Sequence, residues 1–330
     1  MTGVALETVD GQLTSGSGRR YEVSDNIPLL FVDETEGAPA IAAVTGSTGG
    51  QVTHAVQDFY EDAPFPNYNS FDNLAAFTRQ ADAGFGRLLR KQLPLNANVL
   101  EVGCGTAQLS NYLAATTLSR VYAADMTLAS LRMGRAFARQ NQIDGIRFIQ
   151  MNLFMPAIRP QSMDVVISNG VLHHTYDTRK AFASISRLVK PGGHFIVGLY
   201  DWIGRLRTDF RRLLLKTFGD KVLALDPQLR KRLSPEKRRA WIRDQYFHPL
   251  ERKHSISEVI QWFNEEGFSF VSSIPKILGT FGEDEQIFKP KSPGTSLDRV
   301  VAELGMLVSP SGGEGGLFVC IGRRNIASRR

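Results

Sequence analysis

The chain has 330 residues, 42% of them hydrophobic, which suffices for a full α/β core with additions. No apolar run approaches the roughly 18 residues of a membrane span and no basic-then-apolar signal opens the chain, so neither a span nor secretion is expected. Two cysteines, Cys104 and Cys320, make no disulfide framework and no metal site, which points to a reducing cytoplasm, while the net charge of +6 raises an acidic partner until that charge is located.

In chain order, residues 1–50 come first and stand apart from the rest of the chain. Gly18 to Phe31 reads as two short strands around an Asp25-Asn26 turn, and residues 35–55, rich in Gly, Ala, Ser and Thr, read as a linker. The Gly18 to Phe31 stretch resembles the last part of the small Trm112-like zinc-ribbon domains, without their cysteines. That resemblance implies a degenerate, metal-free β module for packing, dimer contact or substrate coverage. Asp58 to Phe71 then places Phe59, Tyr60, Phe65, Tyr68 and Phe71 among prolines that forbid a regular helix across it. Such rings either pin the loop to the core or line a site, where they exclude water and stabilise a cation; Tyr60 and Tyr68 are the expected site residues. Residues 72–93, through Phe77, Phe85, Leu88, Leu89 and Leu93, read as one amphipathic helix.

Asn98 to Ala107 is the most informative stretch: an apolar run ends in Glu101 and opens into Gly103-Cys104-Gly105, a strand, tight turn and helix start. Val121 to Asp125 is a second strand, ending in an acid twenty residues after Gly105, the distance at which a βαβ unit presents a carboxylate to ribose hydroxyls. A dinucleotide and S-adenosylmethionine both suit that spacing. A dinucleotide loop wants a third Gly where Gln108 stands, and Glu101 would repel a pyrophosphate, whereas it suits a cationic end.

Four motifs in order, Val99 to Thr106, Ala124 to Met126, Ser162 to His174 and Arg187 to Val197, resemble those of the class I S-adenosylmethionine-dependent methyltransferases. The resemblance implies an α/β fold: a Rossmann-like seven-stranded sheet with helices on both faces, the last strand antiparallel. It implies S-adenosylmethionine as cofactor, leaving as S-adenosylhomocysteine. Glu101, Gly103, Cys104, Gly105, Asp125, Met126, Asn152, Leu153, Asn169 and Tyr60 are then the expected cofactor residues, with Met126 against the adenine and Asn152 where related enzymes have an acid. His173 and His174, at the end of the fourth strand, are candidate general bases for a hydroxyl acceptor, or they only shape the loop.

Residues 200–246 concentrate the positive charge, interleaving arginines and lysines with Leu, Phe and Trp at helical spacing. They read as a solvated face or as a helical lid whose arginines receive an anionic substrate; a nucleic-acid groove would use the same charges, but no RNA-binding motif accompanies them. Tyr68, Tyr200, Arg205, Tyr246 and His248 are the expected substrate residues. Ser255 and Glu258 form a capping box that starts a helix reaching Gly267; strands at Phe268 to Val271 and Leu317 to Gly322 come after it, with a short helix near Leu297–Leu307 between them. The expected organisation is a β module and linker (1–50), a cofactor-binding core (51–199), a basic lid (200–250) and the remainder of the core (251–330). The expected activity is methyl transfer to a small or medium organic acceptor, on oxygen first and on S, N or C as alternatives, with RNA or protein as alternative substrates. Metal and nucleic acid are not expected; the oligomeric state is open, with lid and N-terminal module each able to mediate a homodimer.

Overall fold

The computed structural model describes residues 6–9, 12–15, 18–32, 46–62, 64, 68, 74–82, 84–230, 234–248, 250–282, 284–308 and 315–326. Strands β1 (Glu7–Val9), β2 (Gln12–Thr14) and β3 (Arg20–Tyr21) form a small antiparallel sheet. β4 (Val23–Ser24) and β5 (Ile27–Pro28) pair across Asp25 and Asn26, whose φ values of 51° and 58° suit a tight hairpin turn, as the sequence predicts. Leu29 then pairs in parallel with Gln150, and the Leu30 N–H donates to the Gln150 carbonyl at 2.8 Å. The N-terminal module thereby docks on an edge of the main sheet.

Two expectations fail in the next stretch. Residues 46–55 are not linker but part of a helix, Gly46–Asp62, because Val52, Val56 and Tyr60 recur every four residues and bury one face. Tertiary contact there overrides the poor helix propensity of Gly, Ser and Thr. The helix stops just short of Pro64; Phe65 and Phe71 lie outside the described residues. The single helix expected over 72–93 is two, Leu74–Ala81 and Gly84–Gln92, separated where Gly84 takes a φ of +52°.

The main sheet contains β6 (Asn98–Val102), β7 (Arg120–Asp125), β8 (Ile146–Gln150), β9 (Met163–Asn169), β10 (Val189–Tyr200), β11 (Phe268–Ile274) and β12 (Leu317–Arg324). Its order is β11-β12-β10-β9-β6-β7-β8. β6 to β10 are parallel and β12 runs antiparallel between β10 and β11. This is the Rossmann-like seven-stranded arrangement. Successive residues feed opposite faces: Leu100, Val166 and Phe195 join Phe182 and Phe263 on one side, while Val99, Val165 and Ile196 join Leu88 and Leu113 on the other. Burial on both faces explains why these strands read as continuous apolar runs.

The insertion folds as helices Leu206–Phe218 and Pro235–Phe247, with a 3-10 segment, Gly219–Leu225, after the first. Ser255 and Glu258 form the anticipated reciprocal capping box on helix Ile256–Glu265, and a helix spans Ser296–Val308. Among the described residues no helix is long and apolar enough to cross a membrane.

Candidate functional site

A cavity of about 530 Å³ opens at the carboxyl ends of β6, β7 and β9, where strand order reverses and helix N-termini converge. Gly103 and Gly105, at φ +73° and +52°, carry the chain from β6 into helix Gln108–Thr116. A Cβ on Gly103 would meet Val171 at 2.4 Å, so only glycine lets the loop lie against the segment after β9.

Two carboxylates stand at this end. Asp125 accepts from the Gly105 N–H and the Thr127 N–H, each at 2.8 Å on a different oxygen, which fixes the plane of the carboxylate and leaves lone pairs on both oxygens. Burial nonetheless raises its pKa. Glu101 accepts from the backbone N–H of Ser110 at 3.0 Å and from the Ser110 hydroxyl, occupying the first turn of the helix that succeeds the glycine loop. Burial pushes its pKa up to about 7 against those two bonds. Cys104 is buried beside these carboxylates; desolvation first, then their charge, hold its thiol well above the ordinary range. Glu61 accepts from the N–H groups of Leu128 and Ala129, capping the helix Leu128–Gln140 that Thr127 leaves uncapped.

The remaining lining comes from elsewhere in the chain. Helix Gly46–Asp62 supplies Tyr60, whose hydroxyl donates to Asp244 at 2.9 Å. The insertion supplies Trp241, Asp244 and Gln245, and the end of β10 supplies Tyr200. Gln245 links them, donating to both Asp244 and Tyr200 at 2.8 Å.

All ten expected cofactor residues meet here: Glu101, Gly103, Cys104, Gly105, Asp125, Met126, Asn152, Leu153, Asn169 and Tyr60 line the cavity. Asn152 is already committed, donating to the Val32 carbonyl and accepting from the Phe154 N–H. Asn169 lies across Gly198, where a Cβ would come within 1.8 Å of its amide oxygen. That oxygen is buried with no hydrogen-bond partner among the described residues.

The two histidines separate. His174 lines the cavity; its Nδ1 lies 2.8 Å from the Leu250 carbonyl, so Nδ1 carries the proton and Nε2 the lone pair. Burial lowers its pKa to about 4, keeping the ring neutral. His173 lies behind it, fully buried, accepting from the Tyr200 N–H at 3.3 Å and packed on the Tyr200 ring at 4.1 Å.

Of the expected substrate residues only Tyr200 lines the cavity. Tyr68 stacks on Phe137 at 4.2 Å and donates to the Thr106 carbonyl. Tyr246 donates to Asp226, and His248 stacks on His174 at 3.7 Å, reaching the site through that ring. Arg205 is buried under Tyr200, its guanidinium 3.7 Å from the ring centroid, and it grips Glu251 with two bonds and Gln245 with a third. Arg212 pairs with the same Glu251. Burial alone would raise the pKa of Glu251, but these two arginines bring it down to about 2. The expectation that lid arginines receive an anion is therefore corrected: among the described residues no Lys or Arg lines the cavity, because the nearest are spent on internal partners.

Sequence reasoning passed over Glu61, Ser110 and Gly198; it reads Asp244 to Pro249 as a polar cluster between lid and core but gives the pocket roles there to Tyr246 and His248 rather than to Asp244 and Gln245.

A family model described as methyltransferase domain matches residues 100–197. An uncharacterized protein of a Synechococcus species is 25% identical over 260 residues, covering 67% of this chain and 60% of its own length. An uncharacterized methyltransferase of Mycobacterium bovis is 34% identical over 119 residues, 36% of this chain and 58% of its own. The chain thus spans about three-fifths of the length of these curated relatives. Among solved structures, PKMT2 of Rickettsia typhi in complex with AdoHcy aligns with a TM-score of 0.51 at 13% identity, over 75% of this chain and 52% of that one.

Proposed function

We propose that this chain, which carries a class I S-adenosylmethionine-dependent methyltransferase domain, transfers a methyl group from S-adenosylmethionine to a small or medium-sized organic acceptor, with oxygen as the receiving atom. The observation that carries the reading is the placement of Glu101. Its carboxylate holds the Ser110 N–H in the first helical turn, where a dinucleotide's pyrophosphate would need free donors, and it presents negative charge suited to an ammonium.

The residues fit that cofactor. Asp125, with both oxygens fixed by one backbone bond each, takes the two ribose hydroxyls. The glycine loop lets a ligand approach the main chain. When bound, the cofactor supplies a methyl group on a sulfonium, open to in-line displacement. The protein's part is positioning and exclusion of water. Tyr60, Tyr176 and Tyr200 line the cavity with rings that stabilise positive charge. His174, neutral and with its Nε2 lone pair available, accepts the hydrogen bond of a hydroxyl acceptor and orients the oxygen toward the methyl group. His174 Nε2 takes the hydroxyl proton as the methyl bond forms, and a conjugate-acid pKa of about 4 suffices because the methylated oxygen is a far stronger acid.

The N-terminal module is proposed to act by packing: its pairing with Gln150 and the Val32 bond to Asn152 brace one side of the cavity. Isothermal titration with S-adenosylhomocysteine and, separately, NAD tests the cofactor assignment. Micromolar binding of S-adenosylhomocysteine and none of NAD is expected; the reverse would overturn it.

A further inference from the structure

The lining of the cavity is asymmetric in charge. Three carboxylates face it, Glu101, Asp125 and Asp244, and among the described residues no Lys or Arg does. The first two belong to the glycine-loop end and have the cofactor roles given above. Asp244 does not: it comes from the insertion, 184 residues from its partner Tyr60.

Asp244 is also an unusual carboxylate. It is 6% exposed, yet among the described residues both its hydrogen bonds come from neutral groups, the Tyr60 hydroxyl and the Gln245 amide, and no Lys or Arg forms an ion pair with it. Arg205 donates to the oxygen of the same Gln245 carboxamide, one group removed from Asp244, and its own charge is met by Glu251. Burial raises the pKa of Asp244 first, with the Tyr60 bond, His248, the Gln245 bond and, last, the charge of Arg205 working against it. A buried carboxylate with no cation in direct contact is costly, and a ligand that brings one recovers the cost. Two neutral donors occupy one lone pair on each oxygen and leave the others free. The rings of Tyr60, Tyr200 and Trp241, which share the lining with Asp244, favour a cationic nitrogen for the same electrostatic reason.

We propose that the methyl acceptor carries an amine, and that Asp244 is the group that receives it, with Tyr60 and Gln245 holding the carboxylate in place. The anion-binding lid suggested by the basic sequence is thereby replaced by a cation-binding wall. The proposal rests on the methyltransferase reading only in calling the ligand an acceptor.

The test uses the full chain saturated with S-adenosylhomocysteine and two matched pairs of probes: tyramine with 3-(4-hydroxyphenyl)propionate, and phenethylamine with 3-phenylpropionate. Each pair keeps the ring and reverses the charge of the tail. Calorimetric titration should show the amine of each pair binding about tenfold tighter or more, the size of one charge-assisted hydrogen bond. Asp244→Asn should erase that preference. Tighter binding of the carboxylates, binding of neither amine, or a preference that survives Asp244→Asn overturns the proposal, and the wild-type comparison decides even where the variant folds poorly. Failure to bind S-adenosylhomocysteine would sink the methyltransferase reading; normal binding of it without an amine preference sinks only the assignment of Asp244.

Discussion

The two ends of the cavity are built on different plans. At the glycine-loop end, Glu101, Gly103, Gly105, Asp125 and Asn152 lie within about fifty residues of chain, and their key bonds go to backbone N–H groups nearby, such as Gly105 to Asp125 and Ser110 to Glu101. At the insertion end, the neighbours Asp244 and Gln245 meet Tyr60 and Tyr200 through side chains alone, across sequence separations of 184 and 45 residues. Local backbone geometry fixes the first; packing of distant segments fixes the second. The first therefore tolerates loss of a side chain without unfolding, whereas the second depends on each member of a buried network.

Breaking the salt-bridged base of the insertion should have the largest effect. Glu251→Ala leaves Arg205 buried with its carboxylate partner gone, and a loss of about 3–5 kcal/mol in urea unfolding is expected. An Arg205→Met, Glu251→Leu double variant should recover most of it; no recovery would mean that the pair does more than neutralise itself.

Asp125→Ala addresses the other end. It should cost about 3 kcal/mol in S-adenosylhomocysteine binding, two charge-assisted bonds' worth, with a far smaller effect on unfolding than Glu251→Ala. Equal damage to folding and to binding would erase the contrast between the two ends.

Acid should act next. His174, at a pKa of about 4 in the fold against about 6.5 unfolded, binds its proton more readily when unfolded. Its contribution is therefore present at neutral pH and is lost as pH falls from about 6.5 toward 4. Between pH 7 and 5 this amounts to about 2 kcal/mol in unfolding free energy, a slope that His174→Gln should flatten. His248, lowered to about 3 for the same reason, steepens the decline in the parent protein.

The smallest effect concerns Glu101. Its pKa of about 7 lies above the ordinary 4.5, so the folded protein disfavours the charged form, and stability falls as pH rises through that range. A cofactor ammonium prefers the ionised carboxylate, so affinity for S-adenosylhomocysteine should rise several-fold between pH 6 and 8. Glu101→Gln should make that profile flat; a profile unchanged by the substitution would remove Glu101 from ammonium binding.

The same division explains what could be read from the sequence. The strand, turn and acid at 98–125 are contiguous and carry their chemistry in a fixed spacing, so the sheet, the glycine loop and the cavity position of Asp125 could be inferred from residues alone. The capping box at Ser255 and Glu258 and the Asp25-Asn26 turn were legible for the same reason. Helix Gly46–Asp62 was not, because its Gly, Ser and Thr argue for a linker and only the surface that buries Val52 and Val56 supplies the opposing energy. Arg205 looked like an anion receiver because Glu251, forty-six residues away, is invisible to a local reading of charge. Tyr68 was misplaced because a ring among prolines gives no sign that Phe137 lies beneath it.

The pairing of Leu29 with Gln150 has a consequence outside catalysis. β8 lies at the end of the main sheet, and Leu29 and Leu30 engage the backbone of its last residue. A chain proteolysed between this segment and the rest would bare that rim as a template on which further molecules could stack strand to strand. Removal of the N-terminal module is therefore expected to promote self-association, which light scattering would check.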